Sequence, residues 1–320
     1  MSQITITPIK DKVFGAIVTN TTLRNISDAE FETVKAAFLK CGFLVFPAQF
    51  LTEEESIAFG ERFGEIQFGG RHVANRKPRE DGSFETFEPN DQRMMGILGN
   101  QNWHADSTYM PVSAKCGMLS ALAVPDEGGQ TELADMRAGY AALDQPTKKR
   151  IESLSAYHST QVSQANDNGY FPPERADTIF HGEAYLRSLV KTHPETAVKN
   201  LFIGRHAFGI PELPRQESRE LLKGLVNFVV SDASRVYSHE WQVGDTIIWD
   251  NRALLHRARP YDYRQARVLI GTRVAGDPAT ELAHYPTDPE AGREAVAAEL
   301  ALLRKENAGK GFRWRDRLPY

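Results

Sequence analysis

Apolar residues in this chain fall in short runs set apart by clusters of Gly, Pro, Asn and Asp. ITITPI (4–9), GAIV (15–18), FLVF (43–46), GMLSALAV (117–124), SLVKTH (188–193), LFIG (201–204), DTIIW (245–249) and RVLIGTRV (267–274) are each expected to form a strand. The last run alternates cleanly. Val268, Ile270, Thr272 and Val274 share one face, and Arg267, Leu269, Gly271 and Arg273 share the other. Two arginines on the same face as a leucine and a glycine predict that this face looks into a polar pocket.

Helical signals are fewer. Ser27-Asp28-Ala29-Glu30 and Thr52-Glu53-Glu54-Glu55 have capping-box spacing, and further helices are expected at 144–154, 214–231 and 288–306. Val296, Leu300 and Leu303 form an i, i+4, i+7 stripe that should pack on the body. Short strands, a few covering helices and no regular βαβ alternation predict a mainly β fold with flanking helices, an antiparallel barrel or sandwich. The polar stretch NRKPREDGSFETFEPNDQR (75–93) is expected to be a loop, either a solvated insertion or a lid over a site.

Composition narrows the function classes. A net charge of −4 with both signs interspersed gives no electrostatic reason to expect nucleic acid or an anionic membrane as partner. Two cysteines, Cys41 and Cys116, are too few for a disulfide framework and suit a reducing compartment. No stretch approaches 18 apolar residues and MSQITITPIKDK lacks an apolar signal core, so a cytoplasmic protein is expected.

The candidate chemistry lies in NQNWHADSTY (100–109). Composition predicts about one His-x-Asp/Glu triplet, and three occur: His104-Ala-Asp106, His181-Gly-Glu183 and His193-Pro-Glu195. Proline stiffens the third, and the second sits in a turn-like segment with no further ligand signalled nearby. The first directly precedes a β-rich run, among Asn100, Asn102, Trp103 and Tyr109. Residues i and i+2 of an extended segment point the same way, so His104 and Asp106 can reach one ion. A facial-triad iron centre needs one more imidazole and keeps three positions open. His256 is the candidate, and Arg267 follows it by 11 residues. A guanidinium there is a natural partner for a carboxylate; a salt bridge at a barrel rim is the competing reading.

NWHADST, GGQTELADMRAGYAAL, WQVGDTIIWDNRALLHRA and RVLIGTRVAGD follow one another in an order and spacing that resembles a known family. It is the taurine dioxygenase and 2,4-dichlorophenoxyacetate dioxygenase family of Fe(II)- and 2-oxoglutarate-dependent oxygenases, and the resemblance runs from about residue 5 to residue 277. It implies His104, Asp106 and His256 as iron ligands, Arg267 as the partner of the distal carboxylate of 2-oxoglutarate, and Thr131 as its support. It implies a double-stranded β-helix, or jelly roll, formed by 1–320 as one domain, with 286–320 a C-terminal helix and tail. The implied reaction consumes 2-oxoglutarate and O₂, releases succinate and CO₂, and oxidises a small organic molecule. With a carboxylate at Asp106, hydroxylation is the expectation; desaturation or cyclisation, or a non-catalytic relative that binds iron and 2-oxoglutarate, are the alternatives. The family commonly forms homo-oligomers.

One position departs from the pattern. The sulfonate and aryloxyacetate members carry a second, substrate-binding arginine four residues beyond the 2-oxoglutarate arginine, and here that position is Gly271. Arg273 lies two residues on, about 6.6 Å further along a strand. Either Arg273 grips an anionic substrate in a shifted pose, or Gly271 makes room for a differently anchored one. Asn100 and His72 are further substrate-contact candidates. Trp103 and Trp249 are expected to pack around the ligands, and His158, His206, His239 and His284 are read as structural.

Overall fold

FLVF (43–46) has no polar face because both of its faces are covered. Phe43 and Val45 point between two sheets, where they meet Leu119, Ala121, Leu133, Ile247, Trp249 and Leu269. Leu44 and Phe46 point outwards into a second cluster with Met118, Ile248 and Val274, closed by Phe31, Phe38, Phe59 and Phe63. In that cluster the Phe31 and Phe63 rings stand edge to face at 5.0 Å. The period-2 rule thus splits an unbroken apolar run between two cores.

The computed structural model describes residues 4–87, 92–284 and 289–309. Ten strands build the two sheets that face each other: β1 (Thr5–Pro8), β2 (Ala16–Thr19), β3 (Phe43–Phe46), β4 (Arg71–Ala74), β5 (Ala114–Ala123), β6 (Thr131–Asp135), β7 (Val236–His239), β8 (Thr246–Asp250), β9 (Leu254–Ala258) and β10 (Val268–Ala275). The larger sheet runs β1-β2-β3-β8-β5-β10-β4, and the smaller runs β7-β6-β9. Apart from the parallel β2–β3 contact, these pairings are antiparallel. This is the jelly-roll fold.

Helices α1 (Asp28–Cys41) and α2 (Glu53–Glu61) cover the outer face of the larger sheet. Both begin at the capping boxes expected from the sequence: Ser27 and Thr52 accept from the N3 backbone, while Glu30 and Glu55 accept from the cap backbone. Arg215–Val230 and Pro289–Asn307 form as expected. In the second, Val296, Leu300 and Leu303 are buried against Val162, Ala165, Ala184 and Phe208. The tail beyond residue 309 lies outside the described residues. No described helix is long and apolar enough to cross a membrane.

Three readings need correction. SLVKTH is two strands, Tyr185–Ser188 and Val190–Thr192, broken at Leu189, which is fully buried in the core cluster beneath the smaller sheet. LFIG is strand only to Leu201. The stretch 75–93 is not structureless: Arg76–Pro78 and Phe84–Thr86 form a hairpin, and Gln92 begins a helix that runs to Gly99; residues 88–91 lie outside the described residues. The hairpin signal was present in Asp81-Gly82. Gly82 takes φ +81°, and the Asp81 carboxylate accepts from the Ser83 backbone and hydroxyl at 2.9 and 2.6 Å.

Candidate active site

The His-x-Asp segment and β9 are tied together by backbone. His104 N–H donates to His256 O at 3.0 Å and His256 N–H to His104 O at 2.8 Å, a two-bond antiparallel bridge that puts both imidazoles on one face. Their rings lie 4.1 Å apart, between centroids. Asn251 then fixes the aspartate. Its Oδ1 accepts from Asp106 N–H at 2.6 Å, while its Nδ2 donates to the carbonyls of Asp106 and Ala114 at 2.9 and 3.0 Å. This gives Trp249-Asp250-Asn251-Arg252 a division of labour. Asn251 clamps the His104–Asp106 segment, while buried Asp250 holds Arg252 and His193. His193, of the rejected third triplet, is thereby spent on structure.

One potential ligand atom from each of His104, Asp106 and His256 lies within 4.8 Å of the others, and all three residues are buried. They are the one such group found among the described residues. His104 Nδ1 faces the Asn102 carbonyl at 2.8 Å, which makes Nδ1 the protonated nitrogen and leaves Nε2 as the free lone pair. His256 Nε2 sits 3.8 Å from Asp106 Oδ2, too far for a hydrogen bond, and His256 Nδ1 is buried with no hydrogen-bond partner among the described residues. The nitrogen turned towards Asp106, Nε2, thus makes no hydrogen bond among the described residues and its lone pair is free to take an ion. Burial, with the neighbouring imidazole, holds His104 well below the usual histidine range, and burial takes His256 down to about 4. Burial alone would raise the Asp106 carboxyl, but Arg273 and the two histidines overcome it and hold the group well below the usual carboxylate range. Two neutral imidazoles and one ionised carboxylate are therefore presented at neutral pH, the donor set that suits a non-haem divalent iron.

Trp249 braces this cluster. Its indole lies over the His256 ring, 4.5 Å between centroids. It reaches there by folding across Gly117, its partner on β5, where any Cβ would collide with the indole.

A cavity of about 570 Å³ opens in front of the cluster, lined also by Thr131, Arg267, Arg273, Asn100, His72 and Gly271. Arg267 is buried, and burial lowers its pKa. Its Nε donates to Gly129 O at 2.8 Å, its Nη2 to Thr131 Oγ1 at 3.2 Å, and its backbone N–H to Asn75 Oδ1 at 2.9 Å. Gly128 and Gly129 both take positive φ; a Cβ at Gly128 would sit 2.5 Å from the Pro260 carbonyl, so the turn that presents Thr131 has to be glycine there. Trp241 Nε1 donates to the same Thr131 hydroxyl at 3.0 Å. No described carboxylate pairs with Arg267, so the rim salt bridge that competed with an anion site is absent among the described residues.

Residues 5–273 match the family described as taurine catabolism dioxygenase TauD, TfdA family. The chain belongs to this family. The (S)-phenoxypropionate/alpha-ketoglutarate-dioxygenase of Sphingobium herbicidovorans is 46% identical over 281 residues, which is 85% of this chain and 96% of that protein. The alpha-ketoglutarate-dependent 2,4-dichlorophenoxyacetate dioxygenase of Cupriavidus pinatubonensis is 33% identical over 280 residues, 80% of this chain and 93% of that one. The crystal structure of AAD-2 in complex with Mn(II) and N-oxalylglycine superposes with a TM-score of 0.79 at 35% identity, covering 86% of this chain and 98% of that one. The protein is an Fe(II)- and 2-oxoglutarate-dependent dioxygenase that uses O₂ to oxidise a small organic substrate.

The dioxygenase cavity also holds residues that the sequence left unmarked. His206, read as structural, lines it with its ring 5.9 Å from His104 and 4.8 Å from Tyr109, and its Nδ1 lies 3.0 Å from Ser163 Oγ. Arg205 lines it too, with Nε 2.7 Å from Asp167. Their loop docks on the segment that carries His104 through Arg205 N–H to Trp103 O, 2.8 Å. Gly204 permits this approach, since a Cβ there would lie 3.1 Å from Trp103 O and 3.3 Å from His104 Cα. A glycine just ahead of Arg-His was the available signal. His158, His239 and His284 lie outside the cavity lining. Arg273 lines the cavity, but its guanidinium is engaged: Nη2 with Asp106 Oδ1, and Nη1 with Ser107 Oγ at 3.1 Å. Ser107 passes the bond on to Gln67 Oε1 at 2.5 Å.

Proposed function

We propose that His104, Asp106 and His256 hold the iron, that Arg267 and Thr131 hold 2-oxoglutarate, and that the oxidised substrate is an aryloxyalkanoic acid. The observation that carries this reading is a buried two-histidine, one-carboxylate cluster that shares one cavity with a guanidinium that no carboxylate among the described residues pairs with. Bound there, the iron and 2-oxoglutarate would supply the oxidising power, with succinate and CO₂ released.

The chain's own part is positional. Asn102 and Asn251 orient His104 and Asp106. Arg273 takes one carboxylate oxygen of Asp106, so the other is turned towards His256. We therefore give Arg273 a positioning role rather than the substrate contact that its place on the strand suggested. Thr131, held by Trp241, keeps Arg267 aimed into the cavity. Ile97, Val73 and Leu119 give the cavity the apolar wall that an aryl ring needs. The ligands come from residues 104 to 256, so we read the chain as one catalytic domain. Two free thiols, Cys41 and Cys116, and a net charge of −4 support a reducing cytoplasm and no nucleic-acid partner.

Succinate release coupled to substrate, measured across (S)- and (R)-2-phenoxypropionate, 2,4-dichlorophenoxyacetate and taurine, tests the substrate class. At least one aryloxy acid should couple and yield a hydroxylated product or its breakdown product by mass. Coupling to taurine and to none of the aryloxy acids would overturn it.

A further inference from the structure

Six arginines line the cavity: Arg71, Arg76, Arg205, Arg257, Arg267 and Arg273. Three are matched by carboxylates. Arg205 pairs with Asp167 at 2.7 Å, Arg257 with Glu132 at 2.6 Å, and Arg273 with Asp106. Arg76 donates to the backbone carbonyl of Arg264 and acts on Tyr261, away from the His–Asp cluster. Arg267 has Gly129 and Thr131 but no anion. The Arg71 guanidinium has no hydrogen-bond or ion-pair partner among the described residues. Of the three arginines without a carboxylate among the described residues, Arg76 is held by a backbone carbonyl away from the cluster, which leaves Arg71 and Arg267 as the cavity's two anion sites.

The two are not redundant. Arg71 opens β4 and stands directly opposite Gly271 on β10. Residues opposed in an antiparallel pair project to the same side, so Arg71 shares the face of Arg267, Leu269 and Arg273, the face that looks into the cavity. Gly271 contributes no side chain, and the space in front of it is left to its neighbour; even a Cβ there would meet Val73 Cγ2 at 2.9 Å. Positions 267 and 271 lie about 13 Å apart along the strand, so Arg71 and Arg267 enter the cavity from separate points. Arg71 sits at the iron-ligand end: it acts electrostatically on Asp106 and His256, and Arg273 beside it lowers its own pKa. Its side chain stays exposed to the cavity and does not pack away.

We propose that Arg71 grips the carboxylate of the oxidised substrate, reaching across from β4 over Gly271, while Arg267 serves 2-oxoglutarate. This rests on the aryloxy-acid reading above and adds the residue that recognises the acid. A guanidinium offers a carboxylate two parallel N–H···O bonds. That grip would hold the acid end, and with it the adjoining carbon, near the metal ligands.

The test uses protein loaded with Mn(II) and N-oxalylglycine, so that binding is read without turnover. Calorimetry follows (S)-2-phenoxypropionate and its uncharged amide with the wild type, Arg71→Gln and Arg71→Lys, and succinate release is measured in parallel on the Fe(II) enzyme. The wild type should prefer the acid. Arg71→Gln should weaken the acid roughly 10- to 100-fold and leave the amide, Mn(II) and N-oxalylglycine affinities unchanged, with Arg71→Lys recovering part of the loss. Equal weakening of acid and amide, or loss of Mn(II) binding, would show a structural effect and overturn the assignment. If Arg71→Gln binds the acid as the wild type does while the wild type oxidises it, the assignment fails and the proposed function stands. If the wild type neither prefers nor oxidises the acid, both fall together.

Discussion

Arg273→Gln tests whether the proposed metal site is held by orientation. In the wild type the Arg273 guanidinium holds Asp106 Oδ1 and Ser107 Oγ, with only 8% of the arginine side chain and 12% of the aspartate side chain exposed. Hydrogen bonds between charged groups contribute about 1.5–3 kcal/mol each when one partner is removed. Removing a residue that orients a metal ligand typically weakens the metal 10- to 100-fold, or about 1.4–2.7 kcal/mol. The two ranges agree, so a 10- to 100-fold rise in the Mn(II) dissociation constant is expected, read by electron paramagnetic resonance of free Mn(II). A cation beside the site also repels the ion, which pushes the other way. Arg273→Lys separates the two effects, because it keeps the charge and loses the planar two-point grip. Orientation predicts weaker metal in both variants; charge alone predicts tighter metal in Arg273→Gln and no change in Arg273→Lys. The second pattern would refute the argument. Arg267→Gln is the contrast, since it should raise the KM for 2-oxoglutarate and leave Mn(II) affinity alone.

Two further outcomes follow from the packing behind the ligands. Gly117→Ala should drive Trp249 off His256; overpacking of this kind costs about 1–3 kcal/mol, so the midpoint of thermal unfolding should drop by several degrees with a shift in tryptophan fluorescence, and an unchanged melt would show that the indole has room to spare. Burial would raise the Asp250 carboxyl, but bonds from Arg252 and His193 hold it well below the usual carboxylate range. A depressed pKa stabilises the fold above the ordinary carboxylate value of about 3.9, and that contribution drains away as pH falls below it. Asp250→Asn, which leaves Arg252 half-paired, should cost about 3–5 kcal/mol in urea unfolding at pH 7. The gap between wild type and variant should narrow from pH 5 to pH 3; a constant gap would mean that the carboxylate charge is not what stabilises this network.

Period and caps were local enough to read. The alternation along 267–274 predicted which face of β10 enters the cavity, and Ser27 and Thr52 marked the two helix starts, because each signal depends only on residues a few positions apart. The iron-site candidates were legible for the same reason, helped by the family resemblance: His104 and Asp106 share a face at i, i+2, and His256 and Arg267 lie within one 12-residue stretch. The hairpin at 76–86 was missed although Asp81-Gly82 announced it, because the polarity of the surrounding residues outweighed a two-residue turn signal.

What the tertiary structure alone decided is who stands across from whom. Strand register is set between segments far apart in sequence, and no periodicity within one strand reports it. That register places Gly117 under Trp249, ties His104 to His256, and brings the Arg205-His206 loop over the ligands. The sequence showed an arginine at 273 and none at 271, and left open whether Arg273 takes over the grip or Gly271 makes room for a differently anchored substrate. The fold turned Arg273 towards Asp106 and set Arg71, whose guanidinium has no partner among the described residues, opposite Gly271, a pairing that joins residues 200 positions apart.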